Sequence, residues 1–189
     1  MSAKLFVLSA PSGCGKTTIA KEVLSDPKLS LAQSVSVTTR LKRPREKDGK
    51  DYFFISEGEF RAMIKRRELL EYEENFGNFY GTPKEGVDKE LKAGRSVLLT
   101  IDVKGGVKVK RKYGKRCVLI FLLPPSIKEL ERRLRSRKSD DEKAISARLK
   151  LAAKELSYKE RYDYKVKNDT VQNAFNRIKK IIIMEKGRK

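Results

Sequence analysis

Eight residues near the N-terminus constrain this chain more than any others: Ala10-Pro11-Ser12-Gly13-Cys14-Gly15-Lys16-Thr17 follows a short apolar run, Lys4 to Ser9. A helical stretch, Thr18 to Leu24, comes next. Small residues between a strand and a helix let consecutive backbone N–H groups curl around an anion at the helix N-terminus. The closing Gly15-Lys16-Thr17 adds an ammonium and a hydroxyl. The loop follows G-x-x-x-x-G-K-[ST], except that Ala10 stands at the first glycine position. It predicts a phosphate cradle in which Ser12, Gly13, Cys14, Gly15, Lys16, Thr17 and Thr18 hold a nucleoside triphosphate. Lys16 would reach the outer phosphates and Thr17 would ligate Mg²⁺. A plain glycine turn is the competing reading.

Further apolar runs at Val97 to Val103, Cys117 to Leu123 and Tyr164 to Asn168 each precede a segment of helical character. Strand followed by helix, repeated, predicts an α/β fold whose parallel sheet is covered on both faces. Helix starts are marked by a polar cap with Glu three residues on, at Ser56/Glu59, Thr82/Glu85, Ser126/Glu129 and Ser139/Glu142. Asp102 closes the Val97 run, where a carboxylate beside the phosphate loop would be a second Mg²⁺ ligand. Turn formation or helix capping is the plainer role for such an Asp.

Composition narrows the chemistry. There is no histidine, so imidazole acid–base catalysis, Ser-His-Asp nucleophiles and His-ligated metals are excluded. Cys14 and Cys117 are too few for a disulfide framework or zinc cluster, and a reducing cytoplasm is the expectation. The longest apolar run, Cys117 to Leu123, is seven residues, too short to span a bilayer, so no membrane association is expected. A net charge of +20 points to anionic partners.

Between the first helix and the Val97 run the texture changes. Ser34 to Thr39 alternates like a strand, Leu41 to Asp51 is a charged loop, and Tyr52 to Ile55 is a short strand, together predicting an inserted subdomain. Arg40 and Arg43 with the hydroxyls of Tyr52 and Tyr80 could cradle a phosphate monoester, and Glu71 could read a base. Each also has a plain role: the tyrosines as core aromatics, Thr82 as a helix cap before Pro83, Glu71 as a surface acid.

With these residues in order, the sequence resembles guanylate kinase. The run Ser36-Val37-Thr38-Thr39-Arg40 with Arg43, the Gly49-Lys50-Asp51-Tyr52-Phe53-Phe54 element and Gly77-Asn78-Phe79-Tyr80-Gly81-Thr82 carry the resemblance. So do the strand ending in Asp102, Pro124-Pro125-Ser126 and the Arg133-Leu134-Arg135-Ser136-Arg137 stretch. The resemblance covers essentially the whole chain. It implies a three-layer P-loop kinase fold in one domain, with a core of 1–33, 93–125 and 150–189, a GMP-binding subdomain of 34–92 and a helical lid of 126–149. It implies an ATP:GMP phosphotransferase of purine nucleotide metabolism, using Mg²⁺ and accepting GMP and its deoxy counterpart. Arg40, Arg43, Tyr52 and Tyr80 would hold the GMP phosphate, while Glu71, Ser36 and Thr82 would read guanine. Lys16, Arg40 and the lid cations Arg133, Arg137 and Arg148 would stabilise the transferring group, with Asn168 beside the adenine. Two positions depart from the family's pattern. Thr100 stands where relatives carry the first acid of Asp-x-Asp, near the guanine amino group, and Lys104 replaces a usual Gln.

Two other classes compete. One is a catalytically silent interaction domain using the same arginine cradle, against which the intact Gly15-Lys16-Thr17 and Asp102 count. The other is nucleic-acid binding, supported by seven Lys/Arg and no acid between Lys104 and Arg116. That stretch lacks a stacking-aromatic pattern and reads as a solvated helix face, so no obligatory nucleic acid is expected. The chain is expected to act as a monomer or homodimer.

Overall fold

The first apolar run forms a strand, β1 (Leu5–Ser9), in which every residue is buried. Its side chains alternate between two cores. Phe6 and Leu8 face one cluster, while Leu5 and Val7 face the other. A strand buried on both faces has to sit inside a sheet, and β1 does so in the computed structural model, which describes residues 3–44, 46–75, 77–135 and 142–188.

Along the chain come α1 (Lys16–Ser25), β2 (Leu31–Gln33), β3 (Val37–Thr38), β4 (Phe53–Phe54), α2 (Glu57–Lys65), β5 (Leu69–Asn75), β6 (Asn78–Pro83) and α3 (Lys84–Lys92). The second half holds β7 (Ser96–Thr100), α4 (Val103–Tyr113), β8 (Cys117–Leu123), α5 (Ile127–Arg135), α6 (Glu142–Leu156), β9 (Tyr164–Lys167) and α7 (Val171–Gly187). The main sheet is parallel throughout, in the order β2-β7-β1-β8-β9. Ile19 and Val23 of α1 and Ile178 and Ile182 of α7 fill the core on one face. Val87 and Leu91 of α3 and Val103 and Val109 of α4 fill the other. This is the α/β fold with the parallel central sheet that the alternation of runs predicts. Because all strands point the same way, their C-terminal ends gather at one edge, where β1 and β7 deliver the phosphate loop and Asp102.

The insertion is a second sheet, β4-β3-β6-β5, in which β3 pairs parallel with β4 and antiparallel with β6. It departs from expectation in three places. The strand expected over Ser34 to Thr39 is ordered as strand only at Val37–Thr38, and that expected over Tyr52 to Ile55 only at Phe53–Phe54. Thr82 does not cap α3; it is a strand residue, Pro83 occupies the cap position, and the Thr82 hydroxyl is turned inward to Glu71. Finally, α3 lies in the span expected for the insertion yet packs into the core of the main sheet. The Ser56/Glu59 capping box does form, and the Ser126 hydroxyl accepts from the Glu129 N–H at 3.1 Å. Ser139 lies outside the described residues, as does Arg137. Among the described residues no helix is long and apolar enough to cross a membrane.

At the opposite edge of the sheet, Lys4 Nζ donates to Glu185 Oε2 at 3.0 Å, with both side chains under a tenth exposed. Tyr164 donates its hydroxyl to the same carboxylate at 2.6 Å, so α7 is tied to β1 and β9 through one acid. Removing one partner strands the other charge. Glu185→Ala is expected to lower the free energy of unfolding by about 3 kcal/mol, whereas Lys4→Met/Glu185→Leu together should recover most of that loss. Urea denaturation of both variants checks this, and a single-variant loss below about 1 kcal/mol would show the pair to be dispensable.

Candidate active site

Between β1 and α1 the loop takes two left-handed turns, at Gly13 (φ +88°) and Gly15 (φ +81°), where a side chain would be strained. Both glycines are also hemmed in. A Cβ on Gly13 would lie 3.1 Å from Leu130 and Leu134 of α5, and one on Gly15 would lie 2.8 Å from Asn168 Nδ2. Ala10 needs no such freedom: its φ is not positive and its methyl is buried in the core, so the departure at the first glycine position costs the loop nothing. Asn168 is nearly buried and donates Nδ2 to the Cys14 carbonyl at 2.7 Å. Its amide braces the loop backbone itself. Cys14 is a filler, its thiol pushed up to about 12, chiefly by burial.

Lys16 opens α1 and donates Nζ to the Ile101 carbonyl at 2.9 Å. Burial lowers its pKa, while Asp102, Glu155 and Glu71 pull it back up. Asp102 does cap a helix: Oδ1 accepts from the Gly105 N–H at 2.7 Å. Its other oxygen faces Asn75 Nδ2 at 3.4 Å, in the same cavity as Thr17. The capping and cavity roles thus coexist in one carboxylate. Ser9 donates its hydroxyl to the Asp102 carbonyl and Tyr162 donates to that of Val103, both at 3.1 Å, fixing the turn that carries Asp102.

A cavity of about 380 Å³ joins the loop to the insertion. Ser36, Arg43, Tyr52, Glu71, Tyr80 and Thr100 line it together with residues 10–18 and Asp102. Glu71 is 6% exposed, and its carboxyl is pushed up to about 7. Desolvation is the main cause, opposed by the hydroxyl that Thr82 donates at 2.6 Å and reinforced by Asp102 and Glu73. Thr82 is fully buried and stands behind Glu71, outside the cavity wall. A Cβ on Gly105 would sit 2.5 Å from Glu71 Oε2, so only glycine leaves room for this carboxylate.

Arg40 lies in the adjoining groove with Arg43, Tyr52 and Tyr80, which also reaches Lys16 and Thr17. Its guanidinium is held bidentate by Glu46 at 3.0 and 2.8 Å, and it sits over the Tyr52 ring at 5.5 Å. Arg133 donates Nε to Glu129 at 2.8 Å, and its charge reaches the Cys14 thiol. Arg148 is on α6, the helix that also sends Leu151 and Glu155 into the cavity.

Comparison with known proteins decides what this constellation belongs to: residues 2–185 match the guanylate kinase family model. The chain belongs to the guanylate kinase family. It is 49% identical to a guanylate kinase of Lactobacillus johnsonii over 96% of this chain and 88% of the relative, and 45% identical to one of Clostridium acetobutylicum over 97% and 87%. The crystal structure of guanylate kinase from Anaplasma phagocytophilum superposes with a TM-score of 0.84 at 37% identity, covering 99% of this chain and 88% of that one. A shikimate kinase from Bacteroides thetaiotaomicron, at 12% identity and TM-score 0.50 over 95% and 98% of the two chains, shares the fold alone.

Three residues in or beside the cavity were not singled out from the sequence. Asn75 shares a face of β5 with Glu71, a spacing visible in sequence once a strand is assigned there. Glu155 follows Arg148 by about two helical turns. Gly105 carries no signal beyond its place after Asp102.

Glu71 makes a stability prediction. Its folded pKa of about 7 exceeds the ordinary 4.5, so between those values the folded state holds a proton that the unfolded chain has lost, and stability falls as pH rises. Relative to Glu71→Gln, the wild type is expected to lose roughly 3 kcal/mol between pH 5 and pH 8. Urea denaturation at both pH values measures it; an equal difference at both would place Glu71 in the ordinary carboxyl range.

Proposed function

We propose that the protein transfers the γ-phosphoryl group of ATP to GMP, and to its deoxy counterpart, giving ADP and the nucleoside diphosphate. One observation carries the reading: a buried carboxylate, Glu71, shares a cavity with Lys16 and the phosphate loop. Guanine presents N1–H and N2–H₂ as adjacent donors, which an ionised Glu71 accepts together. Adenine lacks that pair and would leave the carboxylate unsatisfied. Ser36 faces the same space with a hydroxyl for O6. Thr82 acts through Glu71, and Thr100 presents a hydroxyl where the family's acid would lie.

Arg40, Arg43, Tyr52 and Tyr80 hold the acceptor phosphate, Arg40 exchanging Glu46 for it. A phosphate monoester has its second pKa near 6, so the nucleophilic oxygen is largely ionised at neutral pH and no general base is needed. An acceptor oxygen attacks the γ-phosphorus in line, and the electron pair of the breaking bond passes to the β-phosphate of departing ADP. Lys16, the loop N–H groups and the lid arginines Arg133, Arg137 and Arg148 stabilise the charge on the transferring group. Asn168 keeps the loop in shape on the adenine side. The oxygen donors of Thr17 and Asp102 suit Mg²⁺, which takes few protein ligands beside substrate phosphates and water. When bound, Mg²⁺ supplies charge neutralisation between the phosphates. The reading puts the enzyme in the cytoplasm, in purine nucleotide metabolism, as a monomer or homodimer; its two buried thiols suit a reducing compartment.

With ATP and Mg²⁺, GMP is expected to release ADP far faster than AMP, CMP or UMP in a coupled assay. No GMP-dependent release, or equal rates with AMP, overturns the assignment. The ratio of kcat/KM for GMP over AMP should narrow from pH 8 to pH 6 as Glu71 takes up its proton. AMP and GMP share the same phosphate ionisation, so the ratio isolates the base-reading group. Lys16→Ala should lower kcat by about 10²-fold or more while GMP affinity is largely kept; unchanged turnover would remove Lys16 from the mechanism.

A further inference from the structure

An acid sits in the mouth of the anion cradle. From α6, Glu155 Oε2 accepts from the Ser12 backbone N–H at 3.3 Å. Its carboxylate is one of the charges that pull the Lys16 pKa up against burial, and it raises the Cys14 thiol as well; burial raises its own carboxyl, while the Ser12 N–H and Lys16 favour the ionised form. Around it stand Lys16, Asp102 and Lys104, with Arg133 acting on the same loop. We propose that Glu155 is an internal counter-anion of the phosphate loop, a positioning residue that occupies its mouth between turnovers and limits how tightly it holds nucleotide phosphates. The inference rests on reading residues 10–17 as the ATP phosphate site.

The physical need is clear. A loop whose N–H groups converge on an anion, with a buried ammonium beside them, is costly to leave unfilled. A carboxylate brought by a neighbouring helix satisfies one donor and faces the ammonium. It carries a single charge on a tethered side chain, so a triphosphate outcompetes it, but only against like-charge repulsion. The acid therefore works in two directions. It holds the loop shaped when empty and weakens retention of the ADP that must leave. Arg148 lies on the same face of α6, about two helical turns before Glu155.

Glu155→Gln keeps the shape and an acceptor for Ser12 but removes the charge. Calorimetric titration of the full chain with MgADP, inorganic pyrophosphate and, separately, GMP is the test. ADP and pyrophosphate should bind at least fivefold more tightly to the variant, with GMP affinity within twofold of wild type and ADP release slower in stopped flow. Glu155→Asp, which keeps the charge, should tighten them less than Gln does. A merely structural glutamate would weaken phosphate binding in both variants. Unchanged or weaker ADP binding to folded Glu155→Gln, or Asp matching or exceeding Gln, overturns the proposal. Failure of the wild type to bind ADP or pyrophosphate instead overturns the nucleotide-site reading beneath it.

Discussion

The convergence of backbone N–H groups on an anion site at the C-terminal end of β1 is the constraint around which this molecule is arranged. Such a loop is a deficit of negative charge built from main chain, and it has to be both held in shape and left accessible. Its bracing comes from outside. Asn168, at the end of β9, takes the Cys14 carbonyl, so that peptide cannot rotate its N–H away from the cavity. Leu130 and Leu134 of α5 pack against Gly13, whose φ of +88° favours glycine. Lys16 is tied back to the Ile101 carbonyl at the end of β7. Three distant segments thus converge on eight residues, and the parallel sheet is what brings their ends to one edge.

The same deficit explains the acids nearby. Cations gathered to bind phosphates repel one another when no phosphate is present, and here the molecule answers with its own carboxylates: Glu155 at Ser12, Glu46 on Arg40 and Glu129 on Arg133. Glu71 is different. Burial and two neighbouring acids outweigh the threonine hydroxyl and the Lys108 charge that favour its ionised form, and so its carboxyl rises.

Legibility in the sequence followed burial. β1, β7 and β8 stood out because strands buried on both faces must be apolar runs, whereas β9, at the sheet edge, buries only Val166 and carries a weaker pattern. β2 did not stand out, being three half-exposed residues on the sheet edge. The β5–β6 hairpin was hidden for a related reason. Leu69–Asn75 is rich in glutamate because one face lines a polar cavity and the other meets solvent, so it lacks the alternation that marks a strand. Of the residues lining the cavity, Lys16, Thr17, Arg43 and Glu71 could be singled out from motifs. Asn75, Gly105 and Glu155 could not be, because their roles exist only once α4, α6 and β5 are folded against one another.

The basic surplus has a partial structural account. Lys110, Arg111 and Lys112 occupy the last turn of α4, where positive charge complements the free carbonyls. Lys110 also binds the Cys117 carbonyl and Asp163, and Lys108 reaches across to Glu73 and the Tyr72 carbonyl of β5. The stretch that suggested nucleic acid therefore stitches a helix to its neighbours. The absence of histidine fits the same economy of means: a nucleophile that arrives ionised asks only for cations in the right places, and cations held by displaceable carboxylates can stay in those places while the site is empty.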